Sequence, residues 1–352
     1  MSQVKPLSPA ASHSDNGADD VAVIARLREA RDRVKQEMSK VVVGQHEIID
    51  SLLISLLCRG HVLLHGVPGL GKTLMARTLA RTLEMEFRRV QFTPDLMPAD
   101  ITGTDVMEED QATGKHRVSF VPGPVFTNFL LADEINRTPP KTQAALLQAM
   151  QESEVSVGRE TYHLKPPFFV VATQNPIEME GTYPLPEAQL DRFMFNLKVK
   201  YPTVDEEVQI IKGTTSTLSA HAEKVLSSEE VLRLQELVRG VPIADSVIRY
   251  TARLVAATRP EPGQHSPGAL AAIHKYLSYG ASPRASQYLV LGAKGRAILS
   301  GKYHVDFADI QAVAAPVLRH RLVLNFHARA DNLDSDALVE RLLKAVAVEE
   351  KP

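Results

Sequence analysis

The residues best suited to chemistry in this sequence form a glycine-rich run that matches the pattern G-x-x-x-x-G-K-[ST] at every fixed position. Glycines let the backbone wrap closely around a phosphate, so that successive N–H groups point at its oxygens. Lys72 would contact the β- and γ-phosphates of a nucleotide, and Thr73 would bind Mg²⁺. The run consists of Gly66, Val67, Pro68, Gly69, Leu70, Gly71, Lys72 and Thr73.

Two adjacent carboxylates, Asp133 and Glu134, follow the apolar residues 129–132. In ATPases with this kind of loop, an aspartate at the end of a strand helps to hold Mg²⁺, and a following glutamate can polarise the attacking water. An apolar run before Asp-Glu is weak evidence alone, because strand ends often carry charges. With the glycine-rich loop upstream, we expect Thr73 and Asp133 to be Mg²⁺ ligands and Glu134 to be the general base.

Three further polar residues each have two interpretations. Asn175 either orients a water near the γ-phosphate or belongs to an ordinary turn before Pro176. Arg192 is either an arginine finger that reaches a neighbouring subunit's nucleotide or a surface partner of a nearby carboxylate. Arg284 either reaches back to the nucleotide across a domain gap or is an ordinary charged residue at a helix start. The residue types alone do not decide between the two interpretations for any of these three residues.

Five short apolar segments are predicted to be the strands that position these residues. Each has five to seven residues, and helical or loop sequence separates it from the next. This alternation is typical of an α/β layer with a parallel sheet. The segments are His61–His65, Phe87–Phe92, Phe129–Asp133, Phe168–Thr173 and Phe193–Val199.

The chain is predicted to have a tail and two domains. Residues 1–20 are rich in Ser, Ala, Asp and Pro, which indicates a disordered tail. Residues 21–201 contain an initial helix and the strands, and alternation over Glu154–Leu164 predicts a β-hairpin that protrudes from the sheet. Residues 202–347 show helical patterns almost throughout, so we expect a second, all-α domain there.

Composition and charge narrow the classes of function. The 352 residues include 40 basic and 42 acidic side chains, and this balance gives no electrostatic footprint for nucleic acid or anionic lipid. The single cysteine, Cys58, ends an apolar run and is expected to be a packing thiol in the reducing cytoplasm. No apolar stretch approaches the roughly 18 residues of a membrane span, and the N terminus lacks the apolar core of a secretory signal.

Histidines and one basic cluster are given structural interpretations. The 12 histidines show no metal-ligand spacing, and His61 and His65 flank a predicted strand. The cluster Arg319-His320-Arg321 is expected to form a solvated or salt-bridged face.

Together and in this order, the motifs resemble the AAA+ ATPases, and more narrowly the MoxR family. The resemblance covers roughly residues 22–345, and the combination of motifs is very specific. Many relatives carry alanine where Gly71 stands, so the chain departs here toward the general phosphate-loop pattern. The matching motifs are Val43–Gln45, Gly66–Thr73, Arg89–Pro98, Asp100–Gly103, Pro122–Phe126, Leu131–Arg137, Ala172–Pro176, Gly181–Phe193 and Gly280–Arg284.

The resemblance implies roles that the residues alone leave open. It implies that Gly66–Thr73 is the Walker A motif, and that Asp133 with Glu134 is the Walker B motif. Gln45 and Leu74 are implied as further contacts to ATP. The remaining implied roles are sensor 1 for Asn175, arginine finger for Arg192 and sensor 2 for Arg284.

The resemblance also implies a fold, an assembly and partners. The fold would be an AAA+ core with a parallel five-stranded sheet, followed by an all-α lid, with an insertion in helix 2 near Gly103–Val121. ATP would bind between core and lid at the boundary of subunits in a homo-oligomeric ring, usually a hexamer. Relatives act as chaperone-like motors, often with a von Willebrand factor A domain protein. We therefore expect an ATPase that remodels or matures a protein client, with no role at a membrane.

Three other functions are compatible with parts of the sequence. A DNA-dependent motor is conceivable because related helix-2-insert ATPases include helicases, although no helix-turn-helix, zinc or OB-like segment is appended. A nucleotide-gated scaffold would bind ATP and barely hydrolyse it, but the intact Glu134 and Arg192 argue against that. A chelatase motor subunit is close in mechanism to a remodelling motor, and the chain offers no metal site to support it.

Overall fold

A computed structural model describes residues 16–109, 116–176, 181–215, 221–260 and 268–348. None of the helices in these ranges has the length and apolar character needed to cross a bilayer. The strands are β1 Val62–His65, β2 Phe87–Gln91, β3 Gly103–Glu109, β4 His116–Pro122, β5 Phe129–Asp133, β6 Glu154–Val157, β7 Glu160–His163, β8 Phe169–Gln174, β9 Phe195–Lys198, β10 Leu277–Tyr279 and β11 Val323–Leu324. The helices are α1 Asn16–Ser39, α2 His46–Leu57, α3 Lys72–Thr82, α4 Pro98–Thr102, α5 Pro140–Glu152, α6 Glu187–Leu190, α7 Val204–Thr214, α8 Ser228–Gly240, α9 Asp245–Ala256, α10 Ala269–His274, α11 Pro283–Leu299, α12 Phe307–Leu318, α13 Phe326–Ala330 and α14 Ser335–Ala345, with a 3₁₀ turn at Ile135–Arg137.

The central layer is a parallel sheet of five strands in the order β2-β5-β8-β1-β9. These are the five predicted strands, with ends that differ from the prediction by no more than two residues. Strand β5 is buried along its whole length, and β8 is buried up to its last residue. Burial on both faces explains why these strands read as continuous apolar runs rather than as alternating patterns.

Because all five strands run in the same direction, the sheet has a carboxyl end and an amino end that differ in chemistry. At the carboxyl end, β1 finishes at His65 and β5 finishes at Asp133. At the amino end, the chain enters β1 from residues 59–61 and enters β9 from residues 192–194. The four residues of β1 separate the two ends by roughly 13 Å, at about 3.3 Å per residue.

The chain beyond α7 forms the predicted helical domain, which also contains a short antiparallel pair, β10 with β11. This pair was not predicted. The helical domain packs on the core through α11 against α2, and buried residues of both domains form one hydrophobic cluster. Cys58 lies at this contact, where its Sγ donates a hydrogen bond to the carbonyl of Leu291 at 3.0 Å. Burial raises the pKa of the Cys58 thiol to about 12, which suits the predicted packing role.

Two β-hairpins extend from the core. The pair β6–β7 is the hairpin predicted at Glu154–Leu164. The pair β3–β4 occupies the segment where only an insertion was expected, so its strands are a new finding. Phe120 of β4 stacks on Tyr162 of β7 with ring centroids 4.0 Å apart, so the hairpins are joined by an aromatic contact.

Helix α1 begins at Asn16, inside the segment predicted to be a disordered tail. The prediction is wrong for residues 16–20, and residues 1–15 lie outside the described part of the chain. The helix is anchored further along, where Val34 and Met38 are fully buried. Once such packed turns exist, adding turns upstream costs little, because only nucleation is unfavourable.

Candidate nucleotide site

The glycine-rich loop joins the carboxyl end of β1 to the first turn of α3. The N–H of Gly66 donates to the carbonyl of Gln174 at 3.2 Å, which ties the loop to β8. Gly69 and Gly71 have φ angles of +83° and +73°, and a Cβ at either position would meet nothing within 4 Å. The positive φ angles therefore favour glycine at these positions, while the space around them does not require it. The first-turn N–H groups of α3 and its dipole favour an anion beside the loop.

Lys72 is the first residue of α3, and its ammonium lies over the loop. Its Nζ donates to the carbonyl of Gly66 at 2.5 Å. Burial lowers the pKa of Lys72, while the charges of Asp133 and Glu134 act in the opposite direction. The ammonium therefore lies within electrostatic reach of both predicted carboxylates. Thr73 follows and is half-buried.

Asp133 and Glu134 are held by a residue that sequence reasoning missed, Thr173 of β8. The fully buried Thr173 hydroxyl donates to Oδ1 of Asp133 at 2.6 Å and accepts the backbone N–H of Glu134 at 2.8 Å. Glu134 has a φ of +58°, an unfavourable conformation for a residue with a side chain. One hydroxyl thus positions both carboxylate residues at the turn where β5 ends. A polar residue near the end of an otherwise apolar strand was the available signal.

The side chains of β2 and of the turn after β5 also bind these carboxylates, and they were missed as well. Arg89 donates to Oδ2 of Asp133 through Nε at 3.0 Å and through its terminal nitrogen at 2.8 Å. Gln91 donates to Oε2 of Glu134 at 2.8 Å, and the Arg137 guanidinium lies 3.1 Å from the same oxygen. Strands β2 and β5 are neighbours, with Gln91 opposite Asp133, which explains the contacts.

The remaining residues predicted at the carboxyl end are Asn175, Gln45 and Leu74. Asn175 follows β8 and is 5% exposed. Gln45 precedes α2, and its side-chain amide donates to the carbonyl of Lys200 just beyond β9 at 2.9 Å. Leu74 lies in the first turn of α3 and is 44% exposed. All three therefore lie at the same end of the sheet as the loop.

Arg192 and Arg284 lie at the amino end of the sheet instead. Both line a cleft of about 410 Å³ together with residues that precede β1 and β8. One of these is His61, whose ring accepts the N–H of Val170 at 3.1 Å and bonds the carbonyl of Met150 at 3.0 Å. Burial lowers the pKa of His61 to about 4, so it is a neutral structural residue in this wall.

At least the length of β1 therefore separates the two arginines from Lys72 of the same chain. For Arg192 this agrees with a role toward a neighbour. Arg284 likewise lies away from the loop of its own subunit in this structure, and its role at a nucleotide stays a prediction. The reason for its position is the docking of α11, where the Ser282 hydroxyl donates to Asp191 at 3.0 Å and Arg284 lies 3.5 Å from the same carboxylate oxygen.

Comparison with known proteins gives the same division of the chain. Residues 61–195 match the model of the ATPase family associated with various cellular activities (AAA), and residues 269–342 match the AAA lid domain. The chain is 42% identical to Chaperone MoxR1 of Mycobacterium tuberculosis over 341 residues. The aligned region covers 97% of this chain and 87% of that relative. The chain belongs to the MoxR family of AAA+ ATPases.

Two further similarities support this MoxR-family assignment. Protein MoxR of Paracoccus denitrificans is 35% identical over 315 residues, or 86% of this chain and 89% of that relative. The crystal structure of a candidate ATPase from Cytophaga hutchinsonii has a TM-score of 0.85 and 41% identity, covering 95% of this chain and 99% of that one. The predicted fold class is confirmed: an AAA+ core with a parallel sheet, followed by a lid. As a member of this family, the protein binds nucleotide and is an ATPase.

Proposed function

We propose that this MoxR-family ATPase works as a hexameric ring in which each ATP is shared by two subunits. One subunit contributes the carboxyl end of its sheet, with the glycine-rich loop, and the next contributes its amino end, with Arg192 and Arg284. The placement of these arginines at the end opposite their own loop carries the proposal. From the amino end of the sheet, neither guanidinium group reaches the phosphates bound by the loop of its own chain. A neighbouring copy can place both of its guanidinium groups beside those phosphates.

Within each site, the loop 66–73 is proposed to hold the phosphates through backbone N–H groups and the Lys72 ammonium. The Thr73 hydroxyl and the Asp133 carboxylate are hard oxygen donors at the same end of the sheet, a set that fits Mg²⁺. The bound ion would neutralise charge that develops on the phosphate oxygens. Gln45 and Leu74 are proposed to contact the rest of the nucleotide.

Glu134 is proposed to accept a proton from the attacking water, and Asn175 to orient that water. The Gln91 amide and the Arg137 guanidinium hold the Glu134 carboxylate at the end of β5. Thr173 also fixes the Glu134 backbone, so the side chain extends from a defined position at the end of β5. Arg192 from the neighbour would then stabilise charge on the transferring phosphoryl group.

We further propose that the ring remodels a protein client in the cytoplasm. The relative named a chaperone motivates this, and so does the β3–β4 hairpin, where Met107 and Val118 face each other across the strands and are 67% and 60% exposed. Exposed apolar clusters mark protein-binding surfaces, and methionine adapts to varied partners. The hairpin also supports placement in the helix-2-insert clade. A von Willebrand factor A domain protein is proposed as a companion.

Stimulation of turnover separates a protein client from the alternative, a DNA-dependent motor. We expect unfolded casein to raise the steady-state ATPase rate and duplex DNA to leave it unchanged. Met107→Ser should remove the stimulation and keep the basal rate, whereas Ile248→Ser, on an exposed lid position, should keep both. A rate that rises with DNA and falls steeply with salt would instead favour the DNA motor.

A further inference from the structure

A basic segment of the lid, residues 319–321, follows α12 and has no part in the proposed ATP chemistry. The sequence predicted a solvated or salt-bridged face for it. The salt bridges exist, but the segment is not solvated, because His320 and Arg321 are only 8% and 5% exposed. All three side chains contact the backbone of core residues 191–196. We call residues 319–321 the basic triplet and residues 191–196 the finger segment, since the latter contains Arg192.

Arg321 makes most of these contacts. Its guanidinium donates to the carbonyl of Asp191 at 2.9 Å, to that of Phe193 at 2.7 Å and to that of Met194 at 3.3 Å. Its Nε also donates to the Asp191 carboxylate at 2.7 Å. Burial lowers the pKa of Arg321 and the charge of Asp191 opposes that effect. The guanidinium stays protonated, because an arginine pKa starts above about 12.

The other members of the basic triplet hold the segment on either side. The His320 Nε2 bonds the carbonyl of Phe193 at 3.0 Å. Arg319 donates to the carbonyl of Asn196 at 2.7 Å. Three consecutive lid residues therefore bind the stretch of chain that leads from Arg192 into β9.

Tyr288 of α11 completes the contact. Its hydroxyl donates to the carbonyl of Arg192 itself at 3.2 Å. Its ring lies 5.1 Å from the guanidinium carbon of Arg321, within cation–π range. The carbonyls of residues 191, 192, 193, 194 and 196 thus each accept a hydrogen bond from the lid.

These bonds make the finger backbone follow the lid. Buried carbonyls left without a donor are unfavourable, so the bonds persist when the lid moves. Arginine can serve several acceptors at once because its five N–H groups lie in one rigid plane, and lysine cannot. A lid rotation that keeps these bonds must carry the Arg192 backbone with it.

We propose that Arg321 is a positioning residue for Arg192, so that the lid of one subunit sets how its arginine finger meets the neighbour's ATP. This inference rests on the proposed role of Arg192 in trans. It assigns the lid of each subunit a role at the nucleotide bound by the adjacent subunit.

The variant Arg321→Lys tests this, because it keeps the charge beside Asp191 and loses the planar set of donors. We expect kcat to fall by about 10- to 100-fold, since a displacement of about 1 Å has effects of this size. The KM for ATP should stay within about 2-fold, because the loop of the same subunit is untouched. Arg249→Lys, an exposed lid arginine on α9, is the matched control and should leave both parameters unchanged.

Mixed rings separate positioning of the finger from damage to the variant's own site. Subunits with Glu134→Gln cannot hydrolyse ATP themselves but carry an intact finger. When they are mixed in equal amounts with Arg321→Lys subunits, turnover per Arg321→Lys subunit should rise to roughly half the wild-type value, since half of these sites gain an intact neighbour in a closed ring. Arg192→Ala subunits should lose about 10³-fold or more alone and be rescued in the same way.

Four outcomes of these assays are informative. Rescue of both variants supports the proposal. Rescue of Arg192→Ala without rescue of Arg321→Lys, or full activity of Arg321→Lys, overturns the role of Arg321 and leaves the shared site standing. Full activity of Arg192→Ala removes the shared site and the inference with it.

Tyr288→Phe keeps the test decisive if Arg321→Lys does not fold. This change removes only the hydroxyl bonded to the Arg192 carbonyl and keeps the ring beside Arg321. A fall in kcat of about 3- to 10-fold, rescued by Glu134→Gln subunits, supports the proposal. Unchanged kcat in a folded, assembled Tyr288→Phe protein overturns it.

Discussion

At the scale of single residues, the polar end of β5 depends on a hydroxyl from the neighbouring strand. Thr173 donates to Asp133 and accepts from the Glu134 backbone, so it orders a proposed Mg²⁺ ligand and the proposed base at once. The bond to Asp133 is short, at 2.6 Å, as expected for a donor to a charged carboxylate. The positive φ of Glu134 is unfavourable on its own. The bond from the Glu134 N–H to the Thr173 hydroxyl offsets part of that cost.

Thr173→Val should therefore impair both stability and turnover. The isosteric change leaves a buried N–H and a buried carboxylate oxygen without their partner, which costs about 1–3 kcal/mol. We expect a lower thermal midpoint, a weaker apparent affinity for Mg²⁺ and at least a 10-fold fall in kcat. Thr173→Ser keeps the hydroxyl and should retain most of the activity. An equal fall in kcat in both variants would show that the hydroxyl is not the important group.

At the scale of elements, the lid meets the core where Gly295 of α11 packs directly against Ile54 of α2 and Cys58 at the end of that helix. A Cβ at Gly295 would lie 2.9 Å from the Cys58 Sγ and 3.1 Å from a methyl group of Ile54. Glycine inside a helix usually costs about 1 kcal/mol relative to alanine. Its presence here is explained by the close approach, which lets α11 deliver Tyr288 to the finger segment.

Gly295→Ala should destabilise the protein by about 1–3 kcal/mol in spite of the gain in helix propensity, because overpacking outweighs it. Cys58→Ala removes the clashing sulfur, so the double variant should be more stable than the sum of the two single changes predicts. The measurement is thermal unfolding at one protein concentration without nucleotide. Gly213→Ala in α7, where a Cβ would meet nothing within 4 Å, is the control and should stabilise. If the changes in stability caused by Gly295→Ala and Cys58→Ala were additive in the double variant, the packing explanation would be contradicted.

Prediction from sequence succeeds where a function is contiguous along the chain. The glycine-rich loop carries its own turn residues, lysine and hydroxyl in one run, and Asp133 with Glu134 directly ends an apolar strand. Strands β1, β5 and β8 were recognisable for the same reason, since burial on both faces makes each one a continuous apolar run.

Prediction from sequence fails where the contacts of a residue depend on strand order or on how the domains dock. Thr173 and Arg89 reach Asp133 only because β8 and β2 flank β5, an order that no local pattern contains. The position of Arg284 at the amino end likewise depends on how α11 docks on Asp191, which no local pattern contains. Arg321 was predicted to belong to a solvated or salt-bridged face, since nothing near it in sequence shows that it binds the carbonyls of residues 191, 193 and 194.

At the scale of the whole molecule, one chain contains both groups of residues proposed to form the ATP site, at opposite ends of its sheet. The loop and carboxylates lie at the carboxyl end of the sheet, and Arg192 and Arg284 lie at the amino end. In the described conformation, at least the length of β1 separates these two groups of residues. The proposed closed ring would bring them together between subunits, because a head-to-tail interface repeats the same junction at every subunit.

The most direct test of this shared site is the steady-state ATPase rate per subunit as a function of protein concentration, for the wild type and Arg192→Ala. The shared site predicts a wild-type rate that climbs with concentration and then saturates, and an Arg192→Ala rate that stays low although ATP still binds. Arg249→Ala should follow the wild type. A rate that does not depend on concentration and is unaffected by Arg192→Ala would mean that each subunit hydrolyses ATP alone, and would contradict both the ring and the finger.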